Sequence, residues 1–213
     1  MISASPSLAR PVAAPPPGMP GHACASAVQT RRSVLDAVLA AYDFGSIDEI
    51  VEIARPTGSV LGSVLAAYPR MRGTIVGSAP VVDLARAEIA GASLGHRARA
   101  IVDTGMALPA GADAYVMPHL LRGLDRIDML TRLDRVRDAM IHPWSRLLLL
   151  EPVLAAPQSA HVGRLAASDR LVVTDGTALS ADEFADLLTD AGFALTRVVT
   201  TRSPISVIEA RPN

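Results

Sequence analysis

The chain has 213 residues, half of them hydrophobic but only 3% aromatic, and its 20 basic and 21 acidic side chains leave a formal net charge of -1. That length suits one α/β domain with a full core, filled mainly by Ala, Leu and Val. The even charge excludes the basic footprint of a nucleic-acid binder, and the single cysteine, Cys24, excludes an internal disulfide or a cysteine metal cluster.

Residues 1 to about 30 are rich in Ala, Pro, Ser and Gly and read as a flexible arm. Pro11, Pro15, Pro16 and Pro17 break any secretory h-region, and unbroken apolar runs such as Ala37 to Tyr42 are far too short for a membrane span. A cytoplasmic protein with no membrane partner is expected. Val34, Leu35, Val38 and Leu39 recur at helical spacing and predict a helix from Arg32 to Tyr42. A strand from Ile47 to Ile53 and a helix from Gly58 to Tyr68 follow, then a strand at Thr74 to Val76 and a helix from Val81 to Ala90. Arg99 to Val102 and Ala112 to Met117 read as buried strands, and Leu124 to Met140 as a long amphipathic helix before a strand at Leu147 to Leu150. Leu171 to Thr174 is strand-like or an extended connection. Ser180 and Glu183 form a capping box opening a helix over Ala181 to Ala191, with Gly192 as its C-cap glycine. Leu195 to Thr200 and Ser206 to Ala210, with Pro204 between them, predict a terminal antiparallel pair. Alternating strands and helices imply an α/β fold with a mostly parallel sheet covered on both faces.

The stretches TGSVLGSVLAAYP, PAGADAYVMPHLL, RLLLLEPVL, SADEFADLLTDAGF and SPISVIEA carry a family resemblance over roughly four-fifths of the chain. From about Tyr42 onward the sequence resembles the catalytic domain of S-adenosylmethionine-dependent O-methyltransferases of the acetylserotonin, plant-phenolic and polyketide-tailoring type. The resemblance implies a Rossmann-like class I methyltransferase domain over residues 31–213. It also implies a dimerisation domain ahead of it, where this chain offers only the arm and one helix. A small-molecule substrate is implied, with the pocket completed by a homodimer or by another biosynthetic enzyme.

The family's first strand leads into an acid and a glycine-rich loop, matched here by Glu52, Ile53, Ala54, Arg55, Pro56, Thr57 and Gly58. Three glycines have become Ala, Arg and Pro, which adds Cβ atoms, a guanidinium and a residue without an amide donor where the backbone should approach the cofactor. The acid that grips the cofactor ribose corresponds to Gly77, and the acid at the adenine edge to Asp103. Glu52, Thr57, Gly58 and Asp103 are thus vestigial cofactor anchors, and no cofactor is expected, with S-adenosylmethionine as the alternative.

The family's histidine base corresponds to Arg122, which cannot deprotonate a phenol at neutral pH. His119 matches a second family histidine, Glu151 one of the acids that orient the base, and Ala178 the other. His119, Arg122, Asp125 and Glu151 are therefore the candidate pocket residues. The plainer alternatives are Arg122 as a solvated helix residue paired with Asp125, and His119 as a partly buried structural histidine. Met106, Met117, Met129 and Met140 are expected to fill core gaps, with the lining of a pocket for a flat apolar ligand as the alternative. Three functions fit these residues: a natural-product enzyme that no longer transfers methyl groups, a non-catalytic partner of another enzyme, or a weak methyltransferase.

Overall fold

The computed structural model describes residues 22–55, 59–121, 123–154 and 178–213. Pro56, Thr57, Gly58, Arg122 and the predicted strand at Leu171 to Thr174 lie outside them. The first helix, α1, spans His22–Ala41 and begins ten residues before the predicted Arg32. Its first half has no apolar stripe to announce it, but it is rich in Ala and free of Pro, so intrinsic propensity alone favours helix there. Helix therefore extends into residues expected in the arm.

Strand β1 (Glu49–Ile53), helix α2 (Leu61–Ala67), β2 (Arg72–Gly77), α3 (Ala79–Gly91), β3 (Ala98–Val102) and β4 (Ala114–Pro118) follow in turn. Then come α4 (Arg126–Ala139) and β5 (Arg146–Glu151), and a short parallel pair, β6 (Val153–Leu154) with β7 (Leu179–Ser180), forms a separate sheet. Helix α5 (Ala181–Asp190) precedes β8 (Phe193–Thr200) and β9 (Ser206–Pro212). Both halves of the predicted capping box form, Ser180 accepting from the Glu183 amide and Glu183 accepting from the Ser180 amide. Gly192 follows with φ +74°, a left-handed turn that frees the chain to re-enter the sheet as β8.

The main sheet has seven strands in the order β3-β2-β1-β4-β5-β9-β8. The first five are parallel, and β9 runs antiparallel to both β5 and β8. This is the predicted mostly parallel sheet with a C-terminal antiparallel pair. One face packs Ile50, Ile75, Val116 and Leu148 against α1, α2 and α3 through Val38, Leu61, Leu65 and Val82. The other packs Val51, Tyr115, Met117 and Leu149 against α4 and α5 through Leu133, Val136, Phe184 and Leu187. Strands β4 and β5 are buried on both sides, which is why AYVMP and RLLLL read as continuous apolar runs rather than alternations.

The chain steps outward from β1 to β3 and then returns to place β4 on the other side of β1. Beyond the carboxyl ends of β1 and β4 the connections diverge, and open α/β sheets bind their ligands in that crevice. No described helix is long and apolar enough to cross a membrane.

Candidate functional site

Two of the sequence-predicted site residues, His119 and Glu151, meet at this crevice, together with Arg55 of the altered loop. Arg55 leaves the end of β1, His119 follows β4, and Glu151 ends β5. The Arg55 guanidinium donates from Nη1 to the His119 carbonyl oxygen at 2.9 Å, spanning the gap between the two connections. His119 has φ +50°, in the left-handed region that few non-glycine residues occupy. Its amide donates to the Leu150 carbonyl at 3.0 Å, so the turn is held from both of its backbone sides.

Glu151 is 2% exposed, yet one of its oxygens accepts the Leu121 amide at 3.0 Å and the other lies 4.0 Å from His119 Nδ1. The imidazole is one-third exposed and so connects the buried carboxylate to the outside. Beside Glu151, a narrow crevice is lined by Leu121, Met129, Ala178, Leu179 and Phe184. Among the described residues that line it, the walls are apolar and the carboxylate is the one charged group. Ala178 stands there in place of the second acid. A buried acid behind a partly exposed imidazole can hold and move a proton at this edge of the sheet. Asp125 is not in this group. Exposed at the start of α4, it accepts the Asp128 amide at 2.9 Å as an N-cap.

Two of the residues matched to the family's cofactor anchors, Glu52 and Asp103, bond within the protein. Glu52 is fully buried and accepts from Ser59 Oγ at 2.8 Å, from the Leu61 amide at 2.8 Å and from the Val60 amide at 3.1 Å. Helix α2 has no side-chain cap of its own, and the Glu52 carboxylate supplies one from the neighbouring strand. This also explains why α2 begins at Leu61 rather than at the predicted Gly58.

Asp103 pairs with Arg135 of α4 through two contacts, at 2.8 and 3.2 Å, and accepts the Gly105 amide at 2.9 Å. The Arg135 guanidinium, followed by the Gly105 amide, holds this carboxyl below its ordinary 3.8 despite partial burial. A depressed folded-state value means that the pair stabilises the fold above the unfolded value and loses that contribution as pH falls through and below it. Replacing Arg135 with Ala should therefore cost about 1 kcal/mol at neutral pH, given the partial exposure of both partners. The difference from the native chain should shrink as the pH drops below 3.8. Urea denaturation across that range checks it, and a pH-independent difference would show that Arg135 acts through packing instead.

Gly77, at the ribose position, is closed as well as bare. A Cβ there would lie 2.7 Å from Val81 Cγ1, 3.1 Å from Val81 Cβ and 3.3 Å from the Ala54 carbonyl oxygen. The space into which an acid would project is filled by α3 and by the altered loop. At the matched positions the ribose acid is missing, Asp103 is held by Arg135, and Glu52 is turned to α2. Among the described residues, no group of three His, Cys, Asp or Glu side chains could hold a metal ion.

The sequence did not reveal the Arg55–His119 bridge, the Arg135–Asp103 pair or the Val81 contact. Arg135 is one of several arginines on α4 and carries no local signal of its role. Val81 was visible only as a helix residue.

A family model for the O-methyltransferase domain matches residues 24–194. The chain belongs to this family. This O-methyltransferase-family chain is 32% identical over 182 residues to phenazine O-methyltransferase PhzM of Lysobacter antibioticus, covering 85% of the chain and 53% of that protein. The solved structure of the N,N-8-amino-8-demethyl-D-riboflavin dimethyltransferase RosA from Streptomyces davawensis matches with a TM-score of 0.78 at 30% identity. That match covers 89% of this chain and 57% of the other, so the class I methyltransferase fold is shared over nearly the whole described chain. A further family relative bears the name of another reaction. Aclacinomycin 10-hydroxylase RdmB of Streptomyces purpurascens is 29% identical over 166 residues, which is 76% of this chain and 44% of that protein. The chain spans about half the length of these curated relatives.

Proposed function

We propose that this family member has lost methyl transfer and acts on a small-molecule intermediate of natural-product biosynthesis by cyclisation, rearrangement or elimination. The observation that carries this reading is the closed position at Gly77, where Val81 and Ala54 occupy the space a ribose-gripping acid needs. His119 takes or gives the substrate proton, and the buried Glu151 stabilises the imidazolium that forms. The Arg55 guanidinium, fixed on the His119 carbonyl, sets a positive charge at the mouth of the crevice where negative charge develops on an enolate or phenolate. Leu121, Met129 and Phe184 keep water from the Glu151 carboxylate. A hydroxylase name among the relatives supports the idea that this domain carries chemistry other than methyl transfer.

The second reading is an S-adenosylmethionine-dependent methyltransferase, favoured by the names that most of the similar proteins bear. Calorimetric titration separates the two. The first expects no saturable heat with S-adenosylmethionine at low micromolar concentration, and a low-micromolar dissociation constant would establish the second. Mass spectrometry of a panel of phenolic and quinone substrates gives the complementary result. An isomerised or dehydrated product that disappears in Glu151→Gln supports lost methyl transfer, whereas a product heavier by one methylene sinks it.

A further inference from the structure

A charged pocket lies at the opposite, amino-terminal edge of the sheet, away from the crevice. Pairing in register places Glu49 beside Arg72 and Thr74 beside Arg99 on one face of the sheet. Together with His96 and Arg97 they line an open pocket of about 650 Å3, solvent included. Three guanidinium groups face one carboxylate there, in a chain whose formal net charge is -1.

The arginines are not equivalent. Arg97 is spent on structure, since it donates to the carbonyls of Leu65 at 2.6 Å, Met71 at 3.2 Å and Tyr68 at 3.3 Å, closing the end of α2. Those contacts fix its charge in place without neutralising it. Arg99 is anchored by its Nε, which donates to Thr74 Oγ1 at 2.9 Å. Its two Nη groups donate to nothing among the described residues, so the end of the fork is held out and pre-aligned. Arg72 is exposed at the start of β2, and its side chain has no partner among the described residues. None of the ion pairs formed among the described residues engages Arg72, Arg97 or Arg99.

We infer that this pocket binds the phosphoryl group of a small molecule. Two guanidinium forks on neighbouring strands, with a third fixed positive charge behind them, suit a multiply charged tetrahedral oxyanion. A single carboxylate would occupy one fork and leave the other uncompensated. Glu49 at one side limits the site to a compact ligand and opposes a long polyanion.

Calorimetric titration of the full chain with inorganic pyrophosphate at physiological ionic strength tests the assignment. The expected result is saturable binding of one equivalent with a dissociation constant below about 1 mM. The double variant Arg72→Gln, Arg99→Gln should weaken it by about tenfold or more, while Glu151→Gln leaves it unchanged. Both arginines are exposed, and an unaltered melting temperature in the double variant confirms that the fold is intact. Glycerol phosphate forms a second arm. Tighter binding of the ester than of pyrophosphate assigns a phosphorylated organic ligand, and the reverse assigns the free anion. Absence of saturation, binding that survives the double substitution, or tighter binding of duplex DNA than of either small ligand would overturn the inference.

Discussion

Replacing Glu52 with Ala is expected to cost about 3 kcal/mol or more of folding stability. The carboxylate is fully buried and accepts from two backbone amides and one hydroxyl, all belonging to the segment that opens α2. Alanine removes the acceptor without removing the donors. The Val60 amide would then be left inside the protein with the full penalty of an unsatisfied group, and the Leu61 amide would keep only Ser59 Oγ, at 3.1 Å. Water cannot easily replace the carboxylate, because Val60, Leu61 and Leu65 pack the same region into the core. Glu52→Gln keeps one acceptor oxygen but turns an amide group toward donors, so its cost should fall between native and alanine. The urea midpoint measures the loss, provided the dependence on denaturant is unchanged. A loss below about 1 kcal/mol would mean that α2 starts without help from β1.

Restoring the relatives' acid with Gly77→Asp is expected to destabilise the chain by about 2 kcal/mol and to leave S-adenosylmethionine unbound. The cost comes from the first atom of the new side chain, which would sit 2.7 Å from Val81 Cγ1 and 3.3 Å from the Ala54 carbonyl oxygen. Val81 is branched at Cβ and only 6% exposed, so it cannot swing clear into solvent. Trimming it should relieve the clash, and Gly77→Asp with Val81→Ala should recover part of the loss. Thermal denaturation of the single and double variants, each with and without the cofactor, decides the matter. A single variant that is as stable as native and rises in melting temperature with S-adenosylmethionine would show that the site is open. The proposed loss of methyl transfer would fall with it.

The fold was legible because its signals are local. The apolar runs of β4 and β5, the Ser180–Glu183 box and the left-handed Gly192 each announce themselves within a few residues. The family stretches then set the order of the strands. The site was legible only as a set of names. His119 and Glu151 could be singled out, but Arg55 looked like an intruding charge until its bond to the His119 carbonyl, 64 residues away, gave it a place. The Asp103–Arg135 pair joins residues 32 apart. Spacing along a chain carries no trace of such pairings, and a helix with four arginines offers no reason to choose one. Asp125 shows the converse: the local pattern of an acid just before an apolar-periodic stretch already fits the N-cap that the structure shows.

Strand β9 lies inside the main sheet, between β5 and β8, although every other strand precedes it in the chain. During synthesis, β5 therefore emerges with Leu147 to Leu150 on an unpaired edge and waits through α5 and β8 for its neighbour. The nascent chain carries a sticky apolar edge until its last sheet segment clears the ribosome. The domain becomes safe from aggregation only when β9 has emerged, and a message that ends before Ser206 yields a product for the degradation machinery.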